Sequence, residues 1–227
     1  MSLAHPLDRP AWSALTGRWS DLTLAHGGAR RLAPEFGLFA AAPDAGAASL
    51  ADLGALVRAH GEVGLMESEA WPAAPGTTAT NAVCWQMVAQ SPPPASDPGF
   101  EIVPLTDADA PQMLELATLT KPGPFFSRTH ELAEFIGVKV GGRLVAMAGE
   151  RMRTAGFSEV SAVCTHPDHR GRGYAAALMS RVAERILARG ETPFLHTYAD
   201  NAGAIALYER LGFAFRREII LTLLAPA

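Results

Sequence analysis

Lysine is nearly absent from this sequence: two Lys accompany 17 Arg in 227 residues. Charge as a whole is sparse and slightly acidic, with 19 basic against 23 acidic residues and a formal net charge of −4. A chain that neutralises nucleic-acid phosphates needs a basic surplus, so no nucleic-acid partner is expected. The acidic excess lies in residues 1–97, with five Arg against nine acidic residues; residues 98–227 balance at fourteen each. With 42 Ala alongside, the preference for Arg over Lys reads as compositional bias and not as a binding surface. Cysteine is as scarce. Cys84 and Cys164 lie too far apart for a zinc knuckle or a redox CxxC pair, and two cysteines do not make a disulfide-built scaffold. No HxxxH or HxH spacing joins His166, His169 and His196, so no metal is expected. No run of about 18 apolar residues occurs, so no membrane span is expected. The opening MSLAHPLDRPAWSAL has neither the basic start nor the apolar stretch of a signal peptide. These absences lead to the expectation of a cytoplasmic protein.

What remains is the composition of a folded chain, 48% apolar and 19% charged. Four prolines fall within Ser91–Gly99, a stretch too stiff to continue a helix or a central strand. The expected division is therefore an N-terminal α/β domain, residues 1–97, and a second domain, residues 98–227. In the first, Leu50–His60 reads as a helix with Leu53 and Val57 on one face and Gly61 as its stop. Gly61–Met66 and Asn81–Val88 read as strands, Phe36–Ala40 as a further one, and Pro72–Thr80 as a loop. Trp12, Trp19, Trp71 and Trp85 all lie in this part, as core or interface residues or as the lining of an acceptor pocket.

The second part is more regular. A strand at Phe100–Leu105 precedes a helix from Asp107 or Asp109, with acidic residues at its positive end. Phe135–Val140 and Arg143–Gly149 flank Gly141-Gly142 as a hairpin. Ser158–Thr165 is a strand, and a helix runs to Arg189 with Leu178, Val182 and Ile186 four apart. Pro193–Tyr198 is a strand, Asn201 opens a helix that ends at Gly212, and Phe213–Leu224 is the last strand. The order β-α-β-β-β-α-β-α-β gives an α+β fold, a mixed sheet with helices on both faces.

Chemistry concentrates at residues 165–176. Gly171 and Gly173 let the chain turn tightly and let a ligand approach the main chain. The free N–H groups of the following first helical turn make an anion site, beside which Arg170 and Arg172 add charge. A phosphate-bearing ligand follows, against the alternative of a tight turn with two solvated arginines. Gly171-x-Gly173-x-x-Ala176 formally matches a dinucleotide fingerprint. That motif needs a buried strand running into its first glycine, and His-Pro-Asp-His-Arg stands there instead. Glu191 has the spacing of a ribose-binding acid but precedes its strand, and no GxxxxGK[ST] pattern exists.

Arg170-x-x-Gly173-x-Ala175 resembles the [Q/R]xxGx[G/A] acyl-CoA loop of the GNAT superfamily of N-acetyltransferases, and Asn201–Phe213 resembles that family's Nxx(A)xxLYxxxGF signature. The resemblance covers roughly residues 98–227. The arrangement as a whole, a GNAT-like domain after a smaller part that would be its degenerate relative, resembles the FR47-like and glycine N-acyltransferase-like branch. It implies a GNAT-like acyl-CoA N-acyltransferase fold. It also implies an enzyme that moves an acetyl group from acetyl-CoA to a primary amine, on a small molecule or amino acid, in a ternary complex. A non-catalytic acyl-CoA sensor or structural relative is the competing class, and a dinucleotide-binding Rossmann protein a weaker one.

Carried over by position, Val163, Cys164 and Thr165 would meet the pantetheine amides. Arg170, Gly171, Arg172, Gly173, Tyr174, Ala175 and Ala176 would bind the pyrophosphate, mainly through main-chain N–H groups. Asn201 would reach the pantetheine arm as well as start its helix. Tyr208 would stand near the thioester sulfur, against the plainer reading of a half-buried helix aromatic. An alkylamine is mostly protonated at neutral pH, so its proton must go to a carboxylate or to water. Glu159 stands at the offset where some family members carry such a glutamate, and strict alternation would put it on one strand face with Ser161, Val163 and Thr165. Glu150 and water are the rivals. Cys164 reads as a small buried hydrophobe and not as a nucleophile. No second phosphate loop precedes residue 97, so one site per chain is expected.

Overall fold

Hydrophobic alternation and turn chemistry divide the chain into short strands and amphipathic helices, and a computed structural model describes residues 5–93 and 98–227. The expected boundary residue, Asp97, lies outside the described residues, as do Met1–Ala4. The N-terminal segment forms α1 (Pro10–Leu15), β1 (Thr23–His26), β2 (Ala29–Leu32), β3 (Ala40–Ala41), α2 (Ala47–His60), β4 (Val63–Glu67) and β5 (Thr77–Ala89). After the proline-rich stretch come β6 (Val103–Leu105), α3 (Ala110–Thr120), β7 (Phe135–Val140), β8 (Arg143–Thr154) and β9 (Phe157–Thr165). The chain ends with α4 (Tyr174–Ala188), β10 (Thr192–Tyr198), α5 (Ala202–Arg210) and β11 (Phe213–Pro226).

The element order after residue 98 is the expected one. The strand of Phe100–Leu105 is shorter than expected, and its apolar start, Phe100, instead packs edge-on against Tyr174 with ring centroids 4.7 Å apart. In the N-terminal segment, Phe36–Phe39 is not a strand of its own. Phe36 and Phe39 bury their rings in the core, and the backbone of Phe39 bridges Gly64. Thr77–Thr80, expected as loop, opens β5, because the long β11 gives these residues partners out to Thr77↔Pro226.

Eight strands form one sheet in the order β4-β11-β5-β10-β9-β8-β7-β6, and β1-β2-β3 form a small separate one. The position between β10 and β11 is filled by β5, which precedes the proline-rich stretch. The division at residue 97 thus falls between two segments of a single sheet. Residues 98–227 by themselves would leave β10 and β11 without their common neighbour. All neighbouring pairs in this sheet are antiparallel except β9 and β10.

Helices cover both faces. Leu178, Met179, Val182, Ala183 and Ile186 of α4 are fully buried against Ala146, Ala148, Val160 and Leu195. Fully burying one such side chain is worth about 1.5–3 kcal/mol, so this stripe fixes α4 and with it the loop that leads into it. On the opposite face, Met113, Leu116 and Ala117 of α3 pack on Phe135, Met147, Ala162 and Cys164. Beside them, Leu7, Ala11, Ala14 and Leu15 pack with Phe39, Met66, Met152, Phe194 and Leu221. Among the described residues no helix is long and apolar enough to cross a membrane.

Candidate active site

The parallel pair creates the site by failing. β9 and β10 pair only at Phe157–Glu159 and Thr192–Phe194. Beyond that point β10 follows β5 as far as Tyr198↔Cys84, while β9 follows β8 to Thr165↔Ala146. The two strands therefore diverge, and their facing backbone groups are left for another partner.

A bulge in β9 sharpens this divergence. Met147 pairs with Cys164 and Gly149 with Ser161, so β9 holds one residue more than β8 across this step. The extra residue includes Ala162 at φ +53°, the left-handed region, which costs a non-glycine residue about 1–2 kcal/mol. A one-residue insertion reverses the alternation. Val160 and Val163 both pack on the α4 side, whereas Ala162 and Cys164 pack on the α3 side. The expected single face of Glu159, Ser161, Val163 and Thr165 is thereby broken at Ala162.

At the end of β9, Pro167–His169 form a short 3-10 turn, and Gly171 and Gly173 follow at φ +75° and +80°. Gly173 is the N-cap of α4, and no side chain caps this end. A Cβ at either glycine would meet nothing within 4 Å. Their need for glycine is conformational, and the space in front of the uncapped N–H groups is open. Arg170 and Arg172 are exposed and have no ion-pair partner among the described residues.

These elements line one cavity of about 860 Å³. It brings together Val163, Cys164 and Thr165, the run from Arg170 to Ala176, Asn201 and Tyr208. Asn201 caps α5, its Oδ1 accepting from the Ala204 N–H at 3.2 Å. Burial raises the Tyr208 hydroxyl above the usual tyrosine range. Thr165 Oγ1 and His169 Nδ1 are buried polar atoms on this wall without a hydrogen-bond partner, a position that suits a polar ligand. Burial pushes the thiols of Cys84 and Cys164 up to about 11, so both are protonated hydrophobes.

Glu159 is not brought to the cavity. It is fully buried beneath the wall, in a two-pronged pair with Arg151 (Nε–Oε2 and Nη2–Oε1, both 2.8 Å). Burial alone would raise its carboxyl. The Arg151 charge and hydrogen bonds, with that from His196, outweigh burial and hold it well below the carboxylate range. Such a group is a poor proton acceptor at neutral pH. Glu150 is also buried away from the cavity, gripped by Arg185 and Arg189 from α4.

His196, which does line the cavity, is equally committed. Gln86 Oε1 accepts from Arg216, so its amide nitrogen donates to Leu7 O at 2.9 Å and faces His196 Nε2 at 3.1 Å. That makes Nε2 an acceptor and Nδ1–H the donor to Glu159 Oε1 at 2.7 Å. Arg151, His196, Phe39, Met66 and Leu221 are cavity residues that motif reading missed. No local signal marks them, because strands and loops distant in sequence bring them to one place. Among the described residues no cluster of three His, Cys, Asp or Glu is placed to hold a metal.

A splayed strand pair and an uncapped, glycine-led helix start thus face one cavity. The FR47-like protein family matches residues 136–220. A protein of the GNAT acetyltransferase family from Novosphingobium aromaticivorans is 48% identical, with a TM-score of 0.91 over 98% of this chain and 99% of that one. The N-alpha-acetyltransferase RimI of Mycobacterium tuberculosis is 35% identical over 120 residues, 48% of this chain and 75% of that protein. An acetyltransferase of Yersinia pestis is 43% identical over 58 residues, and there the chain spans only 40% of its relative's length. The chain belongs to the GNAT family of acetyltransferases.

Proposed function

We propose that this protein transfers an acetyl group from acetyl-CoA to a primary amine on a small molecule or amino acid. The observation that carries the reading is that one cavity joins the splayed β9–β10 gap, the uncapped start of α4 and the half-buried Tyr208. The residues fit acetyl-CoA. Open space over two left-handed glycines accommodates a pyrophosphate, the first-turn N–H groups and the positive helix end favour its charge, and Arg170 and Arg172 add to it. The backbone edge of Val163–Thr165 that faces the β10 gap suits an amide-bearing arm. When bound, acetyl-CoA supplies an activated acyl group and a thiol leaving group.

In this reading the protein's own contribution is placement and proton handling. The α4 loop holds the phosphates, β9 aligns the arm, and Tyr208 keeps its proton at neutral pH and presents it where a thiolate departs. Among the described residues no Asp or Glu lines the cavity, which supports water over Glu159 or Glu150 as the acceptor of the amine proton. Water replaces the expected base Glu159, whose carboxylate is spent on Arg151. The relative named for transfer to α-amino groups supports an amine as acceptor. Thiol release from acetyl-CoA with a panel of amines tests the proposal. Amine-dependent release is the expected result, and acetyl-CoA binding without turnover on any amine would point to a sensor.

A further inference from the structure

The cavity passes through the gap between β9 and β10, and its lining changes on the way. On the α4 side it is the phosphate cradle; on the other side it is formed by Phe39, Met66, Cys84 and Leu221, with Arg151 among them. The charged side chains of the lining are Lys121, Arg151, Arg170, Arg172 and Arg210, with no acidic partner on the wall among the described residues. A polyamine or any acceptor with surplus positive charge has nothing here to neutralise it. An acceptor that brings its own anion does.

Arg151 is built to receive that anion. Glu159 occupies only one edge of the guanidinium, Nε and Nη2. The ring of Phe39 lies 4.8 Å from the guanidinium carbon and fixes its plane. Among the described residues Nη1 has no hydrogen-bond partner, although the side chain is only 12% exposed. A Cβ on Gly123 would lie 3.8 Å from Nη1, so Nη1 points toward the Lys121–Pro124 loop that borders the cavity. A guanidinium held on one edge by a carboxylate keeps a second fork, Nη1–H with the other Nη2–H, of the shape that takes another carboxylate. His196 and the chain behind it, through Gln86 and Arg216 to Asp8, hold Glu159 and hence Arg151 in this pose.

We propose that the amine acceptor carries a carboxylate and an apolar body, and that the free edge of Arg151 binds that carboxylate as the specificity-determining contact. This rests on the acetyl-transfer reading above and narrows its substrate class. No covalent step is added; Arg151 positions the acceptor and Glu159 positions Arg151.

The test compares leucine, leucinamide and 3-methylbutylamine as acceptors for acetyl-CoA, read by thiol release. It also compares N-acetylleucine with N-acetylleucinamide as ligands, read by calorimetry without CoA. A charge-assisted hydrogen-bonded pair predicts about 10- to 100-fold preference for the carboxylate member in both readouts. Arg151→Lys keeps the charge but loses the fork, and should reduce that preference to about threefold or less. Equal turnover of all three amines, or equal binding of the two acetylated ligands, overturns the inference and leaves acetyl transfer standing. Absence of turnover on every amine, with acetyl-CoA bound, overturns both. Full discrimination in Arg151→Lys overturns the assignment to Arg151, and should that variant not fold, the wild-type pairs decide alone.

Discussion

Gly173→Asp is the sharpest perturbation of the phosphate cradle, because the structure separates its effect on folding from its effect on binding. Gly173 lies at φ +80° with no atom within 4 Å of an added Cβ, so the folded chain itself does not clash with a side chain there. What remains is the left-handed backbone, about 1–2 kcal/mol for an ordinary residue and less for Asp, which tolerates this region better than most. Binding is another matter. A carboxylate on residue 173 would stand roughly 5 Å from a phosphate held by the first-turn N–H groups. At an effective dielectric near 20, one such pair of like charges costs about 3 kcal/mol, or roughly a hundredfold in affinity. Gly156, in the β8–β9 turn at φ +77° and with equally open surroundings, is the control. Gly156→Asp should lower stability to urea about as much as Gly173→Asp, yet bind acetyl-CoA as the parent does. Calorimetric titration of acetyl-CoA into both variants measures the difference, and added salt should shrink the electrostatic part of it. Equal acetyl-CoA affinity in the two variants would refute the location of the phosphate site.

Other expectations follow from the same geometry. Tyr208→Phe removes one hydroxyl from a half-buried ring, so turnover should fall about 10²- to 10⁴-fold with little change in CoA affinity; unaltered steady-state turnover would make Tyr208 a packing residue. Glu159→Gln leaves the Arg151 charge buried without its partner, and breaking such a pair costs about 3–5 kcal/mol in urea unfolding. Because the folded carboxyl lies below its unfolded value, its stabilisation is complete above about pH 5 and drains away as the pH falls below about 4. The acid limb of the stability profile should therefore be shallower in Glu159→Gln than in the parent. With thiols at about 11, only about one part in a thousand of Cys84 or Cys164 is thiolate at pH 8, so iodoacetamide should label neither until the protein unfolds, as mass spectrometry would record.

What could be read from the sequence is what is local in it. The strand–loop–helix unit from Ser158 to Ala188 depends on neighbouring residues: two glycines, a proline turn and a four-residue apolar repeat. Its loop and the helix that Asn201 opens are both legible from local sequence. The sheet was not. No pattern in Asn81–Val88 tells that this strand enters between β10 and β11, because that choice is made by β11, which offers it thirteen residues of partner. The face of Glu159 was misread for a related reason. Alternation holds only along an unbroken strand, and Ala162, an alanine in a glycine-like conformation, gives no compositional sign of the bulge it forms.

The same bulge ties the two halves of the cavity together. By reversing the alternation of β9 it turns Val163 toward the α4 side while Glu159 stays on the side covered by the N-terminal segment, where Arg151 and His196 meet it. Arg151 itself falls within a second register shift, between Glu150 and Arg153 of β8; Glu150 lies under α4 and Arg151 under Phe39. Ordinary alternation of adjacent residues divides the charged groups between the faces of the sheet, Glu150 with Arg185 on one and Glu159 with Arg151 on the other. The proposed donor side, from Val163 to Tyr208, lies within the stretch that the FR47-like family matches, residues 136–220. The proposed acceptor side is built where β8, β10 and the N-terminal segment converge, so its specificity would be free to change by substitution at Phe39, Met66, Cys84 or Arg151 without disturbing the proposed phosphate loop.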